Sequence, residues 1–312
     1  MILETDFQFF VKNVFPILII VLGTVDNIFG LLVLNRKKLK KIGPVEMYKY
    51  LFVVGMANYP KILQCYLHNF GIYFENTSVM VCRLTSYFWY TTDPLSPMIL
   101  VYISIERFIL IKYPNKRVIL NKKINQYIYM IILIGFNIII NIRVSFDYDL
   151  ISMKNSTKCV SPNKRVYYFV FLNTHIIPYS LMITFTLLLI YSTFKSRRRV
   201  IANYTNRQNR TFKRDIKFAF SSLSLNFIFI LFNLPVSFRS YFNPDLFLFF
   251  LYLHLFSFSI NFYLLFIFNS LFRKQFLSFF IKTENSNTNI VAKFIRINSI
   301  LILNPNVNET NL

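Results

Sequence analysis

The stretch Met98–Pro114, MILVYISIERFILIKYP, is the most informative part of this sequence. It is strongly apolar, and a single acid–base pair, Glu106–Arg107, lies within it. An Arg at the centre of a membrane helix costs ~2.5–3.5 kcal/mol on insertion scales. We therefore expect this pair to lie at a membrane boundary, or to carry a function that justifies the cost.

The composition of the whole chain indicates a membrane protein. Hydrophobic residues make up 55% of the 312 positions and charged residues only 15%, whereas soluble proteins carry about 25% charged residues. The net charge of +22 would suggest nucleic acid in a soluble protein, but here the basic residues stand between apolar runs. We therefore predict no nucleic-acid partner. Three Cys are too few for a four-ligand zinc site, and we predict no metal and no other cofactor.

Seven apolar runs are long enough to cross a bilayer, which takes ~20 residues. Short segments separate them, so we predict an all-α fold, a seven-transmembrane helical bundle with a short amphipathic eighth helix. The predicted spans are Val14–Leu34, Met47–Phe70, Arg83–Ile111, Ile124–Val144, Val166–Phe194, Phe212–Phe238 and Leu246–Asn269. The predicted regions are an extracellular N-terminus (1–13), a seven-transmembrane domain (14–270), a membrane-surface helix (271–281) and a cytoplasmic tail (282–312).

Lys and Arg indicate the orientation of the bundle. They cluster after the first, third and fifth predicted spans and in the tail, whereas the N-terminus holds only Lys12. The positive-inside rule therefore puts the N-terminus outside and the tail inside, as expected for a multi-pass protein of the plasma membrane. Residues 271–281, LFRKQFLSFFI, carry Phe at helical spacing beside basic residues, so we expect this helix to contact lipids of the inner leaflet.

The segments predicted to lie outside carry residues typical of the secretory pathway. Cys82 and Cys159 both fall on the oxidising side, so they are the natural partners of a disulfide. Cys65 lies inside the second span and is expected to be a buried apolar residue. Asn76 and Asn155 begin glycosylation tripeptides on the same side.

Two charged residues lie at membrane depth. Lys61 falls in the second span, and Asp93 lies ~21 Å along the third span from Arg107. Unpaired charges are costly there, so we predict a Lys61–Asp93 ion pair. This pair would form the floor of a ligand pocket or serve a purely structural purpose, and the sequence supports both readings. Pro94 and Pro97 are expected to bend the third helix nearby.

This arrangement resembles the rhodopsin-like family of G protein-coupled receptors over about residues 14–281. Cys82 and Arg107 are separated by ~37 Å of helix, enough to lie on opposite sides of a ~30 Å hydrocarbon core. The triplet Glu106-Arg107-Phe108 is similar to the acid-Arg-aromatic motif of the family, and further matches at family positions are Asn27, Pro114, Pro178, Pro235, Asn261 and Asn269. The resemblance implies a receptor that activates a heterotrimeric G protein through Glu106, Arg107 and Phe108.

Several family positions are changed. Asn58 replaces the acid that coordinates sodium in the family, and a neutral amide holds a cation poorly. The helix-seven motif reads Asn261–Leu265, NFYLL, without its Pro and its terminal Tyr. Asn233 stands in place of the helix-six Trp, and Thr186 stands in place of the helix-five Tyr. These changes affect residues that normally relay ligand binding to the Arg.

The resemblance also implies a partner for Arg107. Asp215 lies ~30 Å along a helix before Pro235, which puts it at the inner end of the sixth span. In the family an acid at this place can bridge the helix-three Arg and hold the receptor inactive. We therefore predict an Arg107–Asp215 lock that opens when a G protein enters. The alternative is that Glu106 and Asp215 are solvated charges at the membrane interface.

The ligand is less clear from the sequence. Trp89 occupies the position at which amine receptors carry Asp, and the outer loop Asp147–Arg165 is long and charged with both signs, which favours a neuropeptide. Candidate pocket residues are Lys61, Trp89, Asp93, His175, Asn233, Arg239 and His254. The alternatives are a chemosensory receptor for small molecules and, less favoured, a transporter or channel, because no internal repeat is present. No HExxH, GxSxG or His/Asp cluster indicates an enzyme.

Overall fold

A computed structural model describes residues 2–36, 39, 45–113, 123–153, 156–203, 206–241 and 243–279. Almost all of this part is helical, which confirms the predicted all-α membrane bundle. In chain order the helices are α1 (Ile2–Phe9), α2 (Phe15–Leu34), α3 (Val45–Ala57), α4 (Tyr59–His68), α5 (Val79–Thr92), α6 (Leu95–Lys112), α7 (Lys123–Phe146), α8 (Lys164–Phe171), α9 (Ile177–Asn203), α10 (Asn206–Asn233), α11 (Pro244–Ser257), α12 (Asn261–Phe268) and α13 (270–279).

Shorter elements connect these helices. Single π-helical segments, Phe10–Val14 and Leu172–Ile176, join α1 to α2 and α8 to α9. The strands β1 (Asp149–Met153) and β2 (Ser156–Val160) pair antiparallel in the loop after α7. This hairpin was not predicted, because its strands are short and lack a clear hydrophobic alternation.

Within the described residues, five helical stretches are long and apolar enough to cross a membrane, and there are six if α11 and α12 are counted as one bent span. The five are Asp6–Leu34, Val79–Lys112, Ile124–Phe146, Arg165–Lys195 and Phe218–Phe238. The remaining predicted span, Met47–Phe70, consists of α3 and α4, which are separated at Asn58 and are each short. The seven-span topology therefore stays a prediction.

Several helices extend beyond the apolar spans predicted from the sequence. The first span is preceded by the helix α1, α9 continues to Asn203 beyond the predicted Phe194, and α10 begins at Asn206 ahead of the predicted Phe212. The physical reason is that Lys, Arg and Gln are good helix formers, so a helix can continue after its apolar run ends. Hydrophobicity marks where a helix leaves the membrane, and not where the helix stops.

Proline accounts for two breaks in the spans. The helix ends at Thr92 and begins again at Leu95, around Pro94, as the sequence predicts. A similar break at Asn58 precedes Pro60. Proline lacks a backbone N–H and restricts the residue before it, so a continuous helix is disfavoured at both places.

The helix α6 lies at the centre of the bundle. It packs against α3, α9 and α10, and its residues Ile99, Leu100 and Ile103 are fully buried. Large apolar side chains on other helices face outward, as Ile131 and Phe227 do, and such a surface suits contact with lipid tails. Residues 98–112 thus form most of the central helix α6.

The predicted membrane-surface helix is described as α13. Its Phe276 packs edge-on against Phe262 and Phe29, and the ring of Phe279 lies 3.6 Å from the guanidinium of Arg36. Aromatic and cation–π contacts therefore fasten α13 to α2 and α12. The predicted tail 282–312 lies outside the described residues.

Candidate functional site

An ion pair lies in the interior of the bundle. The Nζ atom of Lys61 is 2.6 Å from Oδ1 of Asp93, and the two residues are 1% and 9% exposed. Lys61 belongs to the first turn of α4, and Asp93 lies in the break after α5, so the two proline-associated breaks place the charges opposite one another. This distance confirms the predicted ion pair. The two residues pair because neither charge is stable in an apolar interior by itself.

His254 and Asn233 extend this pair across the bundle. His254 Nε2 lies 3.3 Å from Asp93 Oδ1, and His254 Nδ1 contacts Oδ1 of Asn233. Asn233 Nδ2 donates to the Phe229 carbonyl at 2.6 Å and to Ser257 Oγ at 3.0 Å. Both ring nitrogens of His254 thus face oxygen acceptors, and the contacts link α4, α5, α10 and α11. We call Lys61, Asp93, His254 and Asn233 the polar cluster.

Other predicted pocket residues lie beside the polar cluster or apart from it. The ring of Trp89 is 5.2 Å from the Lys61 ammonium, a cation–π distance. His175 Nδ1 lies 3.2 Å from the Tyr179 hydroxyl, and none of the described hydrogen bonds joins His175 to the cluster. The side chain of Arg239 lies outside the described part of the chain. Their predicted role in ligand binding stays a prediction.

Arg107 lies in α6, toward the end of that helix far from the break at Pro94. It is 1% exposed, and its guanidinium lies 4.9 Å from the centre of the Phe218 ring. Within the part of the chain that the structure describes, its three guanidinium nitrogens make no hydrogen bond. The neighbouring Glu106 is equally buried, and Phe108 packs against the buried cluster of Ile111, Leu189 and Ala219. The side chain of Asp215 lies outside the described residues, so the Arg107–Asp215 lock stays a prediction.

A polar network near Arg107 was missed from the sequence. Asn226 Nδ2 donates to Ser104 Oγ at 2.7 Å and to Thr186 Oγ1 at 2.8 Å. Ser104 lies about one helical turn from Arg107, so the network joins α6, α9 and α10 close to that guanidinium. A lone Asn in the apolar run around position 226 was the available signal.

A second missed residue is Asp26 in α2. It is fully buried, and its Oδ1 accepts hydrogen bonds from the backbone N–H of Phe262 at 2.6 Å and of Tyr263 at 3.3 Å. Asn261, the predicted helix-seven residue, begins α12 and donates from Nδ2 to the Phe258 carbonyl at 3.3 Å. A carboxylate inside the first apolar span was the signal that could have found Asp26.

The β1–β2 hairpin packs against α5, at the end predicted to lie outside. Cys82 and Cys159 form the predicted disulfide, which joins the first turn of α5 to β2. Asn76 Oδ1 accepts a hydrogen bond from the backbone N–H of Cys159 at 2.8 Å. Asn155 lies outside the described residues, so glycosylation at both positions stays a prediction.

A pair of tyrosines supports the base of the hairpin. The hydroxyls of Tyr90 and Tyr148 are 2.6 Å apart, and Arg83 Nε donates to the Tyr148 carbonyl at 3.1 Å. Burial, together with the neighbouring phenol of Tyr90, raises the pKa of Tyr148 above its usual range. Tyr148 therefore stays neutral at physiological pH and can share a hydrogen bond with Tyr90.

Comparison with known proteins adds one relative. No family model matches the chain. The chain is similar to galanin receptor 2b of Danio rerio, with 27% identity over 146 residues, which are 46% of this chain and 38% of that receptor. The chain thus matches well under half of that relative's length. The similarity is to a receptor and not to an enzyme, and it supports the resemblance to G protein-coupled receptors.

Proposed function

We propose that this chain is a G protein-coupled receptor of the plasma membrane that binds an extracellular peptide and activates a heterotrimeric G protein. The observation that carries the proposal is the series of features along α5 and α6. Cys82 ties one end to the outer hairpin, Asp93 anchors the buried polar cluster, and Arg107 lies ~20 Å farther along the helix. One span, made of the consecutive helices α5 and α6, therefore connects the hairpin to a buried cation near the opposite end.

The polar cluster is a suitable element for responding to a ligand. It links four helices through charged and polar contacts. If one of these helices moves, the distances between the contacting atoms change, and so does the strength of the contacts. A ligand that interacts with only one arrangement shifts the balance toward it. In this proposal a peptide group that competes for Lys61, Asp93 or His254 moves α11 and α10 relative to α6.

Arg107 is suited to receive a partner. Among the described residues the buried guanidinium has no hydrogen-bond acceptor, and its contact with the Phe218 ring offsets only part of the cost of burying it. An acceptor supplied by a G protein would satisfy these donors when α10 moves away. The network of Ser104, Asn226 and Thr186 would carry the movement to Arg107, because it joins α10, which also holds Asn233 of the polar cluster, to α6 and α9.

A peptide ligand is favoured by two observations. The loop between α7 and α8 forms a hairpin that is tied to α5, and it carries charges of both signs. The relative is by name a receptor for galanin. Ion pairs with a peptide's side chains are consistent with such a surface, whereas Trp89 gives no counter-ion for an amine.

The test is to express the full chain with promiscuous G proteins and to apply galanin, followed by a neuropeptide library. We expect a peptide to raise GTP turnover in membranes that carry the chain, and not in mock membranes. Turnover evoked only by a panel of small odorants would favour the chemosensory alternative. Ion flux without G protein would overturn the proposal in favour of a channel or transporter.

A further inference from the structure

The seventh predicted span is broken in a place where the sequence has no proline. The helices α11 and α12 meet at a bend of 60° around Phe258–Ile260. The first N–H groups of every helix have no intrahelical acceptor, and in a membrane interior no water is present to accept from them. The N-cap residue Ile260 offers no side-chain hydrogen bond to α12. The break therefore needs an acceptor from elsewhere.

Asp26 supplies that acceptor from α2. Its Oδ1 lies 2.6 Å from the N–H nitrogen of Phe262 and 3.3 Å from that of Tyr263, in the first turn of α12. These are the N–H groups that an N-cap side chain normally satisfies, and a carboxylate also interacts favourably with the positive end of the helix dipole. Here the capping residue precedes the helix by 236 positions in the sequence.

The position of Phe262 explains why the cap is required. In the family that this chain resembles, the helix-seven motif has a Pro there, and Pro is tolerated in the first turn of a helix because it has no N–H to satisfy. Phe262 has a backbone N–H, and because this residue is buried that N–H needs an acceptor within the protein. The carboxylate of Asp26 in α2 thus accepts from an N–H that a proline at position 262 would not have.

The packing around the break allows this contact. A Cβ atom on Gly23 would collide with Ser259, and one on Gly55 would lie 2.6 Å from the Phe258 carbonyl oxygen. Both glycines thus let α2 and α3 approach the break more closely than any other residue would. This close approach, together with Asp26, fixes the start of α12 from two sides.

We propose that Asp26 is a positioning residue: it is a cross-helix N-cap that replaces the missing helix-seven proline, holds the bend between α11 and α12, and ties α12 to α2. Because α12 also packs against α10, the cap sets where the inner end of the seventh span lies relative to the helix that faces Arg107. The signalling consequence rests on the proposed function, whereas the capping itself does not.

Amide hydrogen exchange of the purified full chain tests the cap directly. Asp26→Ala removes the acceptor, and we expect the peptide covering 261–264 to exchange about tenfold faster. Asp26→Asn keeps an acceptor oxygen and should stay near wild type. Thr184→Ala is the control, since the described hydrogen bond of its hydroxyl is to the Ser180 carbonyl within α9. Unchanged exchange in Asp26→Ala would overturn the proposal, and so would equally fast exchange in Asp26→Asn.

A second-site variant keeps the proposal testable if Asp26→Ala folds poorly. Phe262→Pro removes the N–H that makes the shorter bond to Asp26, and Phe262→Leu is its control for the lost ring. We expect Asp26→Ala to lower the melting temperature less in the Phe262→Pro background than in the Phe262→Leu background. Equal losses in the two backgrounds would contradict the link between Asp26 and that N–H.

Signalling is measured separately, as basal GTP turnover with promiscuous G proteins at matched surface expression. We expect turnover in Asp26→Ala to differ from wild type by at least about fivefold, and Asp26→Asn to stay within about twofold. Wild-type turnover with no effect of Asp26→Ala would refute the signalling consequence. If no variant, wild type included, turned over GTP, the proposed function would fail while the exchange result still decided the cap.

Discussion

Lys61 and Arg107 are both buried cations, but the bundle stabilises them differently. Lys61 pairs with a carboxylate at 2.6 Å, whereas the Arg107 guanidinium stacks on Phe218. A paired charge is held in one geometry, while a stacked Arg keeps its hydrogen-bond donors for another partner. This contrast supports the proposal that a ligand acts on the ion pair and that Arg107 is the residue that meets a G protein.

The ion pair gives a stability prediction. Asp93→Leu leaves the buried Lys61 charge without its carboxylate, and Lys61→Met leaves Asp93 with the longer contact to His254, so each should destabilise the purified chain by about 3–5 kcal/mol. The double variant should be less destabilised than either single one, because it removes both charges. Thermal unfolding in detergent measures this. Lys12→Met is the control, since the Lys12–Asp245 pair is partly exposed and worth about 0–1 kcal/mol. Single variants no worse than this control would contradict the account.

Among the helices and strands, the features that follow from the sequence are those that require a charged partner or contain a proline. Charges at membrane depth need partners, so the sequence pointed to the Lys61–Asp93 pair, and Pro94 pointed to the break in the third span. The contact of Asp26 with the break between α11 and α12 could not be predicted from the sequence. The group that donates to Asp26 is a backbone N–H, and every residue except proline carries one. The same holds for the hairpin, whose place depends on a disulfide rather than on its own pattern.

The hairpin leads to a prediction about the disulfide. Cys82→Ser should destabilise the chain by about 2–4 kcal/mol, because the bond closes a loop of 77 positions in sequence separation. It should also weaken the peptide response, because β2 is no longer tied to α5. Cys65→Ser is the matched control, since Cys65 is buried and has no disulfide. Melting temperature and ligand potency report the two effects, and equal behaviour of the two variants would count against the role of the hairpin.

For the whole molecule, the uneven distribution of Lys and Arg predicts the orientation in the membrane. The net charge of +22 comes mainly from segments predicted to face the cytoplasm. The orientation is tested by glycosylation: we expect a mass shift after enzymatic deglycosylation that is lost when Asn76→Gln and Asn155→Gln are combined. Asn203→Gln, in a tripeptide predicted to lie inside, should change nothing. A shift that depends on Asn203 would reverse the topology.

The bundle as a whole is proposed to connect an outer ligand to an inner G protein through Arg107. The most direct test is GTP turnover in response to the activating peptide, at matched surface expression, in wild type, Arg107→Leu and the exposed control Arg143→Leu. We predict that Arg107→Leu abolishes the response and that Arg143→Leu preserves it. A full response in Arg107→Leu would contradict the account.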